Sequence, residues 1–158
     1  MGTLAVLASQ CSRVAEFGVR TGNSTVALLY GLNQKPGTKL FSFDINDHSL
    51  DFDPKAEFTN VEWRFTKADT RNLGEMPTVD LLFIDTWHTY DQVKAELQYA
   101  WAVNRWIAFH DTVINRVVGD DGREGIWKAI DEFLSRNPDW KTLCHFTNCN
   151  GLTIIQRK

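Results

Sequence analysis

Apolar positions along the chain fall into short β-rich runs separated by longer stretches with helical spacing. The runs Val14 to Phe17, Lys39 to Ile45, Val61 to Thr66, Val79 to Asp85, Trp106 to His110, Trp140 to Phe146 and Leu152 to Gln156 predict seven strands. Helical patterns over Ser24 to Leu32, Tyr90 to Val103 and Gly125 to Arg136 predict three helices between them. Met1 to Cys11 is apolar and small but has no basic start, so it reads as a helix packed on the domain and not as a signal peptide. Strand and helix in alternation imply right-handed crossovers and a mostly parallel sheet. Lys67 to Thr78 leaves room for at most a short helical turn. Thr147 to Gly151 has the length and the Asn/Gly chemistry of a hairpin, so the last two strands form an antiparallel pair.

At 158 residues the chain predicts one domain, spanning 1 to 158. Hydrophobic residues at 43%, with no apolar run long enough for a bilayer, predict a soluble protein without a membrane partner. A formal net charge of −3 lacks the basic excess that phosphate backbones require, which argues against nucleic acid. Cys11, Cys144 and Cys149 are an odd count outside any disulfide scaffold and read as free thiols in the cytoplasm. His145 is the one good additional ligand near the last two, too few for a zinc site.

Open α/β sheets bind ligands beyond the carboxyl ends of their strands. Those ends are polar here: Glu16-Phe17-Gly18, Asp44, Asp69, Asp85 and His110-Asp111. Gly18 and Gly22 remove Cβ atoms where the first strand turns into a helix, and Ser24 is placed to cap that helix. Asp44 can accept from both hydroxyls of a ribose, and Asp69 from an exocyclic adenine amine. The spacing is Gly-x-x-x-Gly, not the dinucleotide Gly-x-Gly-x-x-Gly, and the Gly-Lys-Ser/Thr of a phosphate loop is missing. A cofactor with ribose and adenine but no phosphate fits that pattern.

The run from Val14 through Glu16, Gly18 and Gly22 to Ser24, followed by Phe43-Asp44, resembles the cofactor motifs of class I S-adenosylmethionine-dependent methyltransferases. Asp80 to Tyr90 and Ile107 to Thr112 resemble the small-molecule O-methyltransferase branch that includes macrolide-sugar and catechol enzymes. The resemblance implies a Rossmann-like three-layer sandwich with a seven-stranded sheet of order 3-2-1-4-5-7-6. It also implies that Glu16 and the glycine turn face the methionine part of S-adenosylmethionine, Asp44 the ribose, and Asp69 with Thr70 the adenine.

Methyl transfer from a sulfonium needs a positioned acceptor and removal of its proton. The resemblance places metal ligands at Asp85, His110 and Asp111, suited to Mg²⁺ or, because of the imidazole, to another divalent metal. It places a proton acceptor at His88, with Asp85 beside it in the catalytic set; Trp87 and Tyr90 flank it as candidate walls of an acceptor pocket. Thr112 to Glu124, rich in Gly and Asp, reads as a flap over the site or as an exposed loop. The expected partner is a small hydroxylated acceptor, and a homo-oligomer is compatible with the pattern. Two other readings stand beside the methyltransferase: a nicotinamide-dependent oxidoreductase, which shares the topology, and a non-catalytic S-adenosylmethionine-binding module, suggested by the short segment before the first strand.

Overall fold

The computed structural model describes residues 2–47 and 53–158. Seven strands form a single sheet: β1 (Arg13–Phe17), β2 (Thr38–Asp44), β3 (Val61–Lys67), β4 (Val79–Ile84), β5 (Val103–His110), β6 (Trp140–Phe146) and β7 (Leu152–Arg157). Their order is β3-β2-β1-β4-β5-β7-β6, parallel except for β7, which runs antiparallel to both β5 and β6. The Rossmann-like topology and the closing hairpin expected from the sequence are both present. Asn150 and Gly151 take positive φ in that hairpin's turn.

Among the described residues five helices cover the sheet: α1 (Gly2–Ser9), α2 (Asn23–Leu32), α3 (Pro54–Glu57), α4 (Tyr90–Glu96) and α5 (Ile126–Arg136). On one face Leu4, Leu7, Leu28 and Leu29 of α1 and α2 pack against Val14, Leu40, Leu81 and Ala108. On the other, Val93, Ile126 and Ile130 of α4 and α5 pack against Phe17, Leu82, Ile107 and Ile155. β1, β2, β4, β5 and β7 thus send alternate residues into two cores, as a parallel sheet covered on both faces requires.

Three boundaries differ from the sequence expectation. The helix after β4 ends at Glu96 and tightens into a 3₁₀ segment over Leu97–Ala102, while β5 begins at Val103. The short α3, which periodicity did not indicate, starts on an Asp53 side-chain cap with Pro54 in its first turn. Ser24 is not a helix cap: α2 starts one residue earlier, with Gly22 at the N-cap in the left-handed region (φ 79°) and no capping side chain. The Lys67 to Thr78 link holds a single 3₁₀ turn, Thr70–Asn72. The three cysteines are free thiols. Among the described residues no helix is long and apolar enough to cross a membrane.

Candidate active site

The ends of β1 and β4 lie so close that only glycine fits between them. Gly18 has φ +90°, and a Cβ there would stand 2.1 Å from the Asp85 carbonyl oxygen. The Asp85 N–H in turn donates to the Phe17 carbonyl at 2.8 Å, continuing the ladder to the last residue. At the neighbouring strand end Asp44 Oδ2 accepts from the N–H groups of Val19 (2.8 Å) and Arg20 (3.2 Å), and Oδ1 from that of Asn46 (2.9 Å). Asp44 therefore fixes the glycine turn as well as facing the space above it.

That space is a cavity of about 410 Å³, lined by Gly18, Asp44, Asp69 and Thr70 of the expected cofactor set, together with Asp85 and Trp87. Glu16, Gly22 and Ser24 do not line it. Glu16 points to the α2 side of the sheet and is fully buried; its carboxylate accepts from the hydroxyls of Ser24 (2.6 Å), Thr25 (2.9 Å) and Ser42 (2.7 Å). Burial outweighs these donors and pushes Glu16 up to about 7. Strand parity accounts for the placement, because Glu16 shares its face with Val14. Glu16 and Ser24 brace α2 beneath the turn.

A second buried carboxylate gave no motif signal. Glu96, on α4, accepts from Thr70 Oγ1 (2.6 Å), Thr86 Oγ1 (2.8 Å) and Gln92 Nε2 (2.8 Å), and burial pushes it up to about 7. All three donors line the cavity. A glutamate on the buried stripe of a helix, beside Val93 and Leu97, is the sequence signal for such a group.

Around Asp85, which lines the cavity, two imidazoles and two carboxylates alternate in a ring. His88 Nε2 lies 3.1 Å from Asp85 Oδ1 and 3.4 Å from Asp111 Oδ2; His110 Nδ1 lies 3.3 Å from Asp85 Oδ1 and 3.0 Å from Asp111 Oδ1. Asp111 holds a positive φ of 55°, a strained backbone that turns its side chain back onto this ring at the end of β5. The carboxylates of Asp111 and Asp85 push His110 up to about 10. Burial acts to depress His88, but Asp85 and Asp111 outweigh it and raise it. Burial likewise opposes charge on Asp85, which His110 and His88 nevertheless hold well below the usual carboxylate range.

Ligand atoms of Asp85, His88 and Asp111 lie within 4.8 Å of one another, a spacing that fits one divalent cation. His110, expected among the ligands, lies beside this trio, its Nδ1 against the same two carboxylates. Its Nδ1 faces Oδ1 of both carboxylates without a directed hydrogen bond, and that atom and Asp111 Oδ1 are buried polar atoms left unsatisfied. An imidazole between two carboxylates suits Mn²⁺, Fe²⁺ or Zn²⁺ better than Mg²⁺.

The loop from Thr112 to Glu124 reaches the ring through Asp120. Its Oδ2 accepts from the His88 N–H (3.1 Å) and lies 3.1 Å from His88 Nδ1, while Oδ1 accepts from Asn115 Nδ2 at 2.9 Å. The segment is thus tied to the site by directed contacts. Tyr90 departs from the expected pocket wall: its hydroxyl turns to Glu132 on α5 (3.0 Å). Trp87 is half exposed and lines the same cavity as Gly18 and Asp44.

Known structures share this architecture. An O-methyltransferase from Bacillus cereus in complex with S-adenosylhomocysteine superposes with a TM-score of 0.68 at 18% identity, over 99% of this chain and 80% of the other. The O-methyltransferase TomG from Streptomyces achromogenes, in complex with S-adenosylmethionine, gives 0.63 at 16% identity over 99% and 78%. An S-adenosylhomocysteine-bound methyltransferase from Podospora anserina gives 0.63 at 17% identity over 99% and 76%. No curated protein matches the chain in sequence. The family model described as a methyltransferase domain matches residues 15–112, more than half of the chain, from β1 through the Asp111 turn, and the protein belongs to that family.

Proposed function

We propose that this chain transfers a methyl group from S-adenosylmethionine to a hydroxyl of a small molecule or sugar. The observation that carries the reading is the continuity of one cavity from Asp44 at the end of β2, across Gly18, to Asp85 at the end of β4. A nucleoside anchored at the first end brings its sulfonium toward the His88, Asp85 and Asp111 ring. Ile45 and Trp87, both lining the cavity and more than half exposed, offer apolar surfaces to a flat purine. The three O-methyltransferase and methyltransferase structures above hold their cofactor on the same fold, which supports the assignment.

In this reading His88 accepts the acceptor's proton at Nε2 while Asp120 holds the ring through Nδ1. In-line displacement needs little else from the protein beyond orientation. Asp85, His88 and Asp111 alternatively fit a divalent cation, which when bound would occupy His88 Nε2 in place of the proton and lower the pKa of a coordinated hydroxyl.

Calorimetric titration with S-adenosylhomocysteine tests the cofactor. Asp44→Ala should weaken binding by roughly 1.5 to 3 kcal/mol, through lost charge-assisted hydrogen bonds and a loosened turn. Unchanged affinity in a folded variant rejects the site. Binding of a nicotinamide dinucleotide in place of S-adenosylhomocysteine would favour the oxidoreductase reading instead.

A further inference from the structure

Asp69 was expected to read the adenine amine, but its carboxylate is already engaged. Oδ1 accepts from the Arg71 backbone N–H and from Arg71 Nε, both at 3.0 Å, and Oδ2 accepts from Arg71 Nη2 at 2.6 Å. This fork caps the 3₁₀ turn Thr70–Asn72 at the cavity rim. A second, less committed acceptor on the same wall could serve an amino-purine without disturbing that fork.

Gln92 supplies one. It is buried, lines the cavity, and sits on the first turn of α4 behind a Thr89 cap. Its Nε2 donates to Thr70 Oγ1 at 3.1 Å and to Glu96 Oε1 at 2.8 Å. Both amide hydrogens are thereby spent inside the wall, and among the described residues the carbonyl oxygen takes no hydrogen bond. A carboxamide is free to flip unless its surroundings distinguish N from O. Ionised Glu96 makes that distinction, since a carboxylate accepts from an amide nitrogen and repels an amide oxygen, and the Thr70 hydroxyl, its hydrogen given to Glu96, likewise only accepts from the amide. The Thr70 and Thr86 hydroxyls, donating to the same carboxylate, keep Glu96 in place.

We propose that Gln92 is the purine-selecting residue of the cavity, its carbonyl oxygen accepting from the exocyclic amine of the cofactor's adenine, and that Glu96 is a positioning residue that fixes the carboxamide in that orientation. The inference rests on the S-adenosylmethionine reading above and adds the group that distinguishes adenine from other purines. A hypoxanthine base places a carbonyl oxygen where adenine has its amine, so the fixed Gln92 oxygen would face another acceptor. One missing partner at a buried acceptor corresponds to about a tenfold to hundredfold change in affinity.

The test compares S-adenosylhomocysteine with its hypoxanthine counterpart by calorimetry. The wild type should prefer the adenine ligand by at least about tenfold. Gln92→Leu should lose most of that preference, chiefly through weaker binding of the adenine ligand, and Gln92→Met serves the same purpose if the Leu variant does not fold. Glu96→Gln should narrow the preference by strengthening the hypoxanthine ligand, because the amide can then turn its N–H groups outward; a merely structural role would weaken both ligands together. Equal losses for both ligands in the Gln92 variants, or a preference that survives them, overturn the proposal, and loss of preference in Asp69→Asn alone would return the role to Asp69. Failure of the wild type to bind S-adenosylhomocysteine at all would instead overturn the cofactor reading.

Discussion

Asp120 grips His88 twice, by the backbone N–H and by ring Nδ1, each at 3.1 Å, across 32 residues of sequence. The pair fixes which ring nitrogen faces Asp85 and Asp111, which is the arrangement a proton acceptor or a metal-ligating imidazole requires. Asp120→Asn should lower turnover by roughly 10- to 100-fold with cofactor affinity unchanged. Single-turnover kinetics alongside calorimetry makes the separation, and wild-type turnover in the variant would remove Asp120 from the mechanism.

Asp85 and Asp111 meet at the same imidazole, so they should act together in any metal dependence. Each alanine variant is expected to abolish stimulation by Mn²⁺, Fe²⁺ or Zn²⁺ while S-adenosylhomocysteine still binds. A chelator series on the wild type provides the control: full activity in chelator eliminates the ion and leaves His88 as the proton acceptor alone.

Gly18 should be needed for folding before it is needed for binding. A Cβ at this position would overlap the Asp85 carbonyl at 2.1 Å, and φ +90° disfavours any side chain. Gly18→Ala should therefore cost about 1 to 3 kcal/mol from the backbone conformation alone, with the overlap adding to it. Urea unfolding measures this; a variant of wild-type stability that fails to bind ligand would show instead that the turn's role is confined to ligand approach.

Glu16 makes stability depend on pH with a defined sign. Its carboxyl is raised from 4.5 to about 7 in the folded state, so the native chain holds this proton longer than the unfolded chain does. The contribution is fully present below about pH 4.5 and is lost as pH rises toward 7, amounting to about 3 kcal/mol. Glu16→Gln removes that dependence, and its stability relative to wild type should rise across the window. Parallel denaturation curves at pH 5 and pH 8 with no change in the difference would refute the assignment.

The sequence by itself determined the sheet. Seven apolar runs, the hairpin chemistry of Asn150-Gly151 and the glycine turn after β1 were legible because each depends on local periodicity or on a backbone angle that few residues adopt. Carboxylates at strand ends were legible for the same reason. Which way each carboxylate points was decided by tertiary structure: Asp44 meets the cavity and Glu16 the underside of α2, because strand parity and packing choose the face. The meeting of His88 with Asp85 and Asp111, and the Gln92 and Glu96 wall, depend on distances between separate elements. The Asp120 contact depends on the path of a loop whose own sequence prescribes only turns. Such contacts form when the packed sheet brings the strand ends together, and no periodic pattern along the chain records them.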